Sequence, residues 1–206
     1  MSHVRTVLGD VDASELGVTY AHEHLVIDGG RPVEMSPDFL LADVDKLARE
    51  LDDARAAGLR TAIDAMPADC GRNPSKLADL SLRTGVNIVA ATGLHHERFY
   101  GPLHWSLKAS VDELADLFAA DITEGIDEHD YSGPVVRRTP VQAGIVPSLL
   151  PARSAPTGVN FVLRRLASSA VTPAKPGTAA RVANVKRTGK PRRIQASFET
   201  GQSVYY

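Results

Sequence analysis

His22, Glu23 and His24 form a His-x-His pair within an apolar run, and this spacing carries the clearest chemistry in the 206-residue sequence. Side chains two apart on an extended strand project to the same side, so both imidazoles can grip one ion. Neutral imidazole suits zinc and its divalent neighbours. A second concentration of rings lies at residues 95–108, where His95, His96, Phe99, Tyr100, His104 and Trp105 share one loop. Loops of that kind line pockets when a rigid scaffold holds them. Asp64 closes another apolar run and is expected to brace a strand end rather than react. His104, Trp105 and His129 are expected to pack or face solvent, and the lone Cys70 to be structural.

The elements that must position these residues alternate. Short apolar runs are followed by helical stretches, the pattern of a parallel sheet with crossover helices. Strands are expected at 17–27, 59–66 and 87–94, with a fourth beginning at 141 and interrupted by Pro147. Ile88, Val89, Ala90 and Ala91 are continuous rather than alternating, as in a strand buried on both faces. One helix is expected to place Leu40, Val44, Leu47, Leu51 and Ala54 on a single face, with Gly58 closing it. Asn73 and Pro74 supply the cap and first residue of a second helix that Gly85 ends. Ser110 and Glu113 make a capping box for a third, whose apolar face is Val111, Leu114, Leu117, Phe118 and Ile122. Four β/α units in about 146 residues amount to half of an eight-stranded barrel of about 250 residues.

The chain changes character after Val146. Residues 1–146 carry 13 lysines and arginines against 24 aspartates and glutamates, whereas residues 147–206 carry 10 against the single Glu199. All 7 histidines fall in the first segment. The later segment is rich in Pro, Ser and Arg, holds one weak helical candidate at 159–170, and is expected to be largely disordered. Two domains are therefore expected, a partial α/β barrel at 1–146 and a basic tail at 147–206. Composition, charge and periodicity all shift at one point, in the middle of a strand, which is what a change of reading frame would produce. No run is long and apolar enough for a spanning helix, and no signal-peptide layout opens the chain, so a soluble cytoplasmic protein is expected.

Thr6-Val7-Leu8-Gly9, Glu15-Leu16-Gly17-Val18-Thr19 and Ala21-His22-Glu23-His24-Leu25 resemble the opening of the phosphotriesterase family of the amidohydrolase superfamily. Asp64, Gly71-Arg72-Asn73-Pro74 and Ala91-Thr92-Gly93 continue the likeness in the same order over about seven tenths of the chain. Resemblance to that family implies an incomplete (β/α)8 TIM barrel and a hydrolase acting on lactones, phosphotriesters or related esters. It implies two divalent metals, usually zinc, with a metal-bound hydroxide as nucleophile. His22 and His24 would hold the more buried metal, and His95, His96 and Tyr100 fall where the family's third loop lines the substrate pocket. A small-molecule ester or lactone partner follows from the likeness, as does a homodimer by analogy.

The same resemblance exposes a defect. A carboxylated lysine at the end of the family's fourth strand bridges both metals, yet Ala143-Gly144-Ile145-Val146 leads to Pro147 in its place. Proline has no nitrogen to carboxylate and no donor for a strand ladder. No catalytic residue can be assigned, and this chain is expected to be inactive alone, a remnant of such an enzyme. Nucleic-acid binding through Lys186, Arg187, Lys190, Arg192 and Arg193 is the weakest reading, because Phe161 and Phe198 are too sparse for a stacking platform.

Overall fold

The computed structural model describes residues 2–146. The expected tail, the helical candidate at 159–170 and the basic cluster around Lys186 lie outside the described residues. The chain opens with an antiparallel hairpin, β1 (His3–Thr6) and β2 (Gly9–Asp12), in which Thr6 faces Gly9 and His3 faces Asp12. The Thr6 hydroxyl donates to the Gly9 carbonyl at 2.7 Å and sets the turn. Nothing in the strand-helix alternation announced this hairpin; its strands are only four residues each.

Three parallel strands form the main sheet in the order β3 (Val18–Glu23), β4 (Leu59–Asp64), β5 (Asn87–Ala90). Each is shorter than the apolar run that suggested it, because past Glu23 and Asp64 the N–H groups of Leu25, Val26 and Met66 bond the Asp64 side chain, and past Ala90 the chain pairs with Ile145. A fourth position is occupied: Ala91 and Ile145 form a parallel bridge, with the Gly144 N–H donating to the Ala90 carbonyl and the Thr92 N–H to that of Ile145, both at 2.9 Å. The alternation thus yields an α/β fold with a parallel sheet.

Crossover helices cover the sheet. Between β3 and β4 lie a short helix, α1 (Gly30–Met35), which the sequence reading missed, and α2 (Val44–Ala56). Leu40 is not on the α2 face as expected. Asp43 caps the helix by accepting from the Lys46 N–H, so the helix starts after Leu40, which is 52% exposed. Between β4 and β5, α3 (Pro74–Thr84) begins at Asn73, whose side chain accepts from the Lys76 N–H, and ends at Gly85 as expected. After β5 comes α4 (Val111–Thr123), whose Ser110 and Glu113 form the full capping box. Phe118 is buried on its inner face, but Val111 is exposed.

Val26, Ala62, Leu77, Leu80, Val86, Ile88, Ala90 and Ile126 form the main core between sheet and helices, with Ala48 and Leu51 from α2. Leu77 and Leu80 are completely buried, each stabilising the fold by about 1.5–3 kcal/mol relative to an exposed side chain. The hairpin seals the amino-terminal end of the sheet: Val7 is buried and its N–H donates to the Ile88 carbonyl at 2.8 Å. No helix among the described residues is long and apolar enough to cross a membrane.

An ion network joins α4 to the connections around it. Arg72, fully buried, donates from Nε to Asp130 at 2.9 Å and from Nη1 to the Ala91 carbonyl at 2.7 Å and to Asp121 at 3.2 Å. Asp121 also accepts from the Thr92 hydroxyl at 2.6 Å, from Arg138 at 2.9 Å and from the Tyr131 hydroxyl. Buried charges persist only when paired and hydrogen-bonded, and here the pairing is nearly complete.

Candidate functional site

The carboxyl ends of β3, β4 and β5 lie at one end of the sheet because the strands are parallel, and the residues singled out from the sequence gather there. His22 stands on β3 and His24 one residue past its end. Their ring centroids are 5.4 Å apart with planes at 88°. A tetrahedral ion held about 2.0–2.1 Å from each ring nitrogen would set two ring centres about 5 Å apart, so the pair is spaced as imidazole ligands of one ion are.

Burial, reinforced by His22 and His95, pushes the His24 pKa down to about 4. Burial does the same to His95, to about 4, with Arg98, His96 and His22 adding to the effect. His24 and His95 are therefore neutral at pH 7, the form that ligates a metal. Within these imidazoles the donor chemistry fits a divalent ion, but the donor number falls short: among the described residues, no group of three His, Cys, Asp or Glu side chains is placed to hold one. A catalytic site for such an ion normally uses three protein ligands.

His95 lies at the rim, its ring stacked on Phe99 at 4.1 Å, while Arg98 sits over the other ring at 4.6 Å. Tyr100 is buried, and its hydroxyl is spoken for: it accepts from the His95 N–H at 2.7 Å and donates to the Ala68 carbonyl at 2.9 Å. Tyr100 thus ties the third loop to the segment after β4. His96 caps a short turn by accepting from the Arg98 N–H. His104 is clamped between Asp69 at 2.9 Å and Ser106 at 2.7 Å, and the Trp105 indole N–H donates to the same Asp69 carboxylate at 2.7 Å. Those two residues pack, and His129 is exposed beside Glu128, as expected. Cys70 is buried, and its thiol is pushed up to about 12 by that burial, as befits a structural cysteine.

Glu23 escaped notice in the sequence. It lies between the two histidines, alternates to the opposite side of β3, and stands in register with Asp64. Burial and the neighbouring Asp64 carboxylate push its pKa up to about 7. Asp64 itself is pushed up to about 6 by burial, against the pull of the backbone N–H groups it accepts. The available signal was a carboxylate set between two histidines at the end of a strand.

Protonation of these groups has opposing effects on stability. His24 and His95 have folded pKa values below the 6.5 of the unfolded chain, so their contribution is present above about 6.5 and is lost as pH falls toward 4. Glu23 and Asp64 have raised values, so their protonated forms favour folding and that contribution is lost as pH rises toward 7. Replacing His24 and His95 together with glutamine is expected to make the protein relatively more stable at pH 5 than at pH 7. Urea unfolding at the two values reads this out; an unchanged pH dependence would contradict the assigned protonation.

Parallel strands under helices, with imidazoles at the strand carboxyl ends, define the α/β class whose functional sites form at that mouth. The chain belongs to the phosphotriesterase family, whose profile matches residues 2–151. It is 36% identical over 146 residues to a phospho-furanose lactonase of Mycoplasmopsis agalactiae, covering 69% of this chain and 41% of that protein. Among solved structures it is similar to an amidohydrolase from Mycoplasma synoviae, with 35% identity, a TM-score of 0.66, and coverage of 70% of this chain and 42% of that one. A lactonase from Listeria monocytogenes is similar at 27% identity and a TM-score of 0.61, over 70% of this chain and 46% of that one. The chain spans about two fifths of the length of curated relatives it matches. Members of the family are phosphotriesterase and lactonase hydrolases, and the expected family membership is borne out.

Proposed function

We propose that residues 1–146 are the first four β/α units of a TIM barrel built for divalent-metal-dependent hydrolysis of a small ester, a lactone or phosphotriester. His22 and His24 hold one ion, zinc by the chemistry of the donors, and His95 borders the substrate with Tyr100 fixing its backbone. The observation that carries the reading is the 5.4 Å separation of the two imidazoles at the strand end, with His24 neutral. A divalent ion at such a mouth supplies Lewis acidity to a carbonyl or phosphoryl oxygen. The protein groups contribute binding and orientation: two imidazoles presented from one strand, that of His24 neutral, and a stacked His95 at the rim.

This chain holds the ion weakly and does not turn over substrate alone. Two imidazoles are one ligand short of an ordinary catalytic set, and Pro147 occupies the position where the family's bridging lysine is expected. Dialysis of the purified chain against zinc, followed by metal analysis and assays with a lactone and a phosphotriester, tests both halves. Zinc uptake lost in the His22→Ala/His24→Ala variant, with turnover no higher than that of the variant, is expected. Uptake that survives the double substitution removes the site, and two tightly held ions with clear turnover removes the claim of inactivity.

A further inference from the structure

We infer that Asp64 is a positioning residue for the histidine pair: its carboxylate fixes the path by which β3 leaves the sheet, and through that path the aim of His24. The inference rests on the metal reading above and adds to it the group that would hold the ligands in place.

The backbone around the histidines is held irregularly. The β3–β4 register is broken between Tyr20 and Glu23, so the ladder skips the segment that carries His22, and it ends at the Glu23–Asp64 pair just before His24. One bond follows directly, from the Ala65 N–H to the Glu23 carbonyl at 2.8 Å. Past that point the side chain of Asp64 takes over from the backbone. Its Oδ2 accepts from the N–H groups of Leu25 at 3.0 Å and Val26 at 3.3 Å, while its Oδ1 accepts from Met66 at 2.9 Å.

One carboxylate therefore binds both departing chains, that of β3 through residues 25 and 26 and that of β4 through residue 66. Leu25, Val26, Met66 and Asp64 are all buried, so water cannot substitute for these bonds. His24 sits between the last ladder pair and the first N–H that Asp64 accepts, pinned on both sides within one residue. With the backbone held on both sides, the origin and direction of the His24 side chain are set, and its ring can be redirected only by rotation about its own side-chain bonds. Groups that orient metal-binding histidines typically change metal affinity about 10–100-fold when altered.

Asp64→Asn is the informative substitution, because the amide keeps the size of the side chain but has one acceptor oxygen, and its NH2 must confront a backbone N–H. Ile88→Val, in the core near the sealed end, serves as a control for simple loss of stability. Two measurements are made on the full chain: zinc affinity by competition with a chromophoric chelator, and zinc-free NMR signals of the His22 and His24 rings. Asp64→Asn is expected to weaken zinc binding about tenfold or more and to move the His24 ring signals, while Ile88→Val moves neither. Equal zinc affinity and unmoved ring signals in Asp64→Asn overturn the inference. If zinc perturbs neither ring in the unsubstituted protein, the metal reading falls by itself; the zinc-free ring signals then still decide whether Asp64 positions His24.

Discussion

Replacing Arg72 with methionine is expected to destabilise the protein by about 3–5 kcal/mol, a large fraction of the stability of an ordinary domain. Methionine can fill most of the space but returns no charge. Asp121 and Asp130 would then lie in the interior facing one cation fewer, with Arg138 left to serve Asp121. The Ala91 carbonyl, at the point where β5 gives way to its loop, would lose its donor as well. Burial already pushes the Asp130 pKa up to about 7, and the Arg72 guanidinium is the chief opposing influence. Without Arg72, Asp130 would take up a proton on folding, so the variant should recover part of its stability at pH 5. Urea or thermal unfolding at pH 7 and pH 5 measures both effects. A loss below about 1 kcal/mol, the level typical of an exposed ion pair, would show that the network does not hold the loops together.

Gly125→Ala is expected to cost about 3 kcal/mol by a different route. Gly125 follows α4 at a φ of +127°, a conformation L side chains rarely adopt, and an added Cβ would stand 1.9 Å from the Thr139 carbonyl oxygen. The Thr139 backbone cannot retreat freely, because its N–H is bonded to the Ile126 carbonyl and its hydroxyl to the same oxygen at 2.9 Å. Gly9→Ala separates the two causes. Its φ is +122°, yet nothing lies within 4 Å of the added carbon, so only the backbone strain is incurred, about 1–2 kcal/mol. Equal losses in the two variants, read by urea unfolding, would mean that the Thr139 contact relaxes at no cost.

The parts of this fold that were legible in the sequence are those governed by local chemistry. Asn73, Pro74 and Gly85 delimit α3, and Ser110 with Glu113 opens α4, because a cap is a bond between residues three apart. The continuous apolar run around Ile88 announced a strand covered on both faces, and Ile88 is fully buried. Leu40 misled, because helical spacing continues through it while the Asp43 cap starts the helix later. The hairpin was missed for a related reason: its strands are too short to show a period, and Val7 is buried by a contact some eighty residues away.

At the mouth of the sheet the same division holds. His22 and His24 were found by their spacing, and their closeness to His95 followed from the family likeness rather than from any local rule. Glu23, Arg72, Asp121 and Asp130 gave little sign of their importance. A buried ion pair is made by residues tens of positions apart, and in one dimension each looks like an ordinary charge on a solvated face.

The hairpin at the start of the chain gives the molecule a blind end. With Val7 anchored to Ile88, the amino-terminal end of β5 is covered, while the opposite end, where β3 and β4 part and His22 is exposed, stays open. Residues 3–12 consequently act as a plug: trimming them away would admit solvent to Ile88 from below.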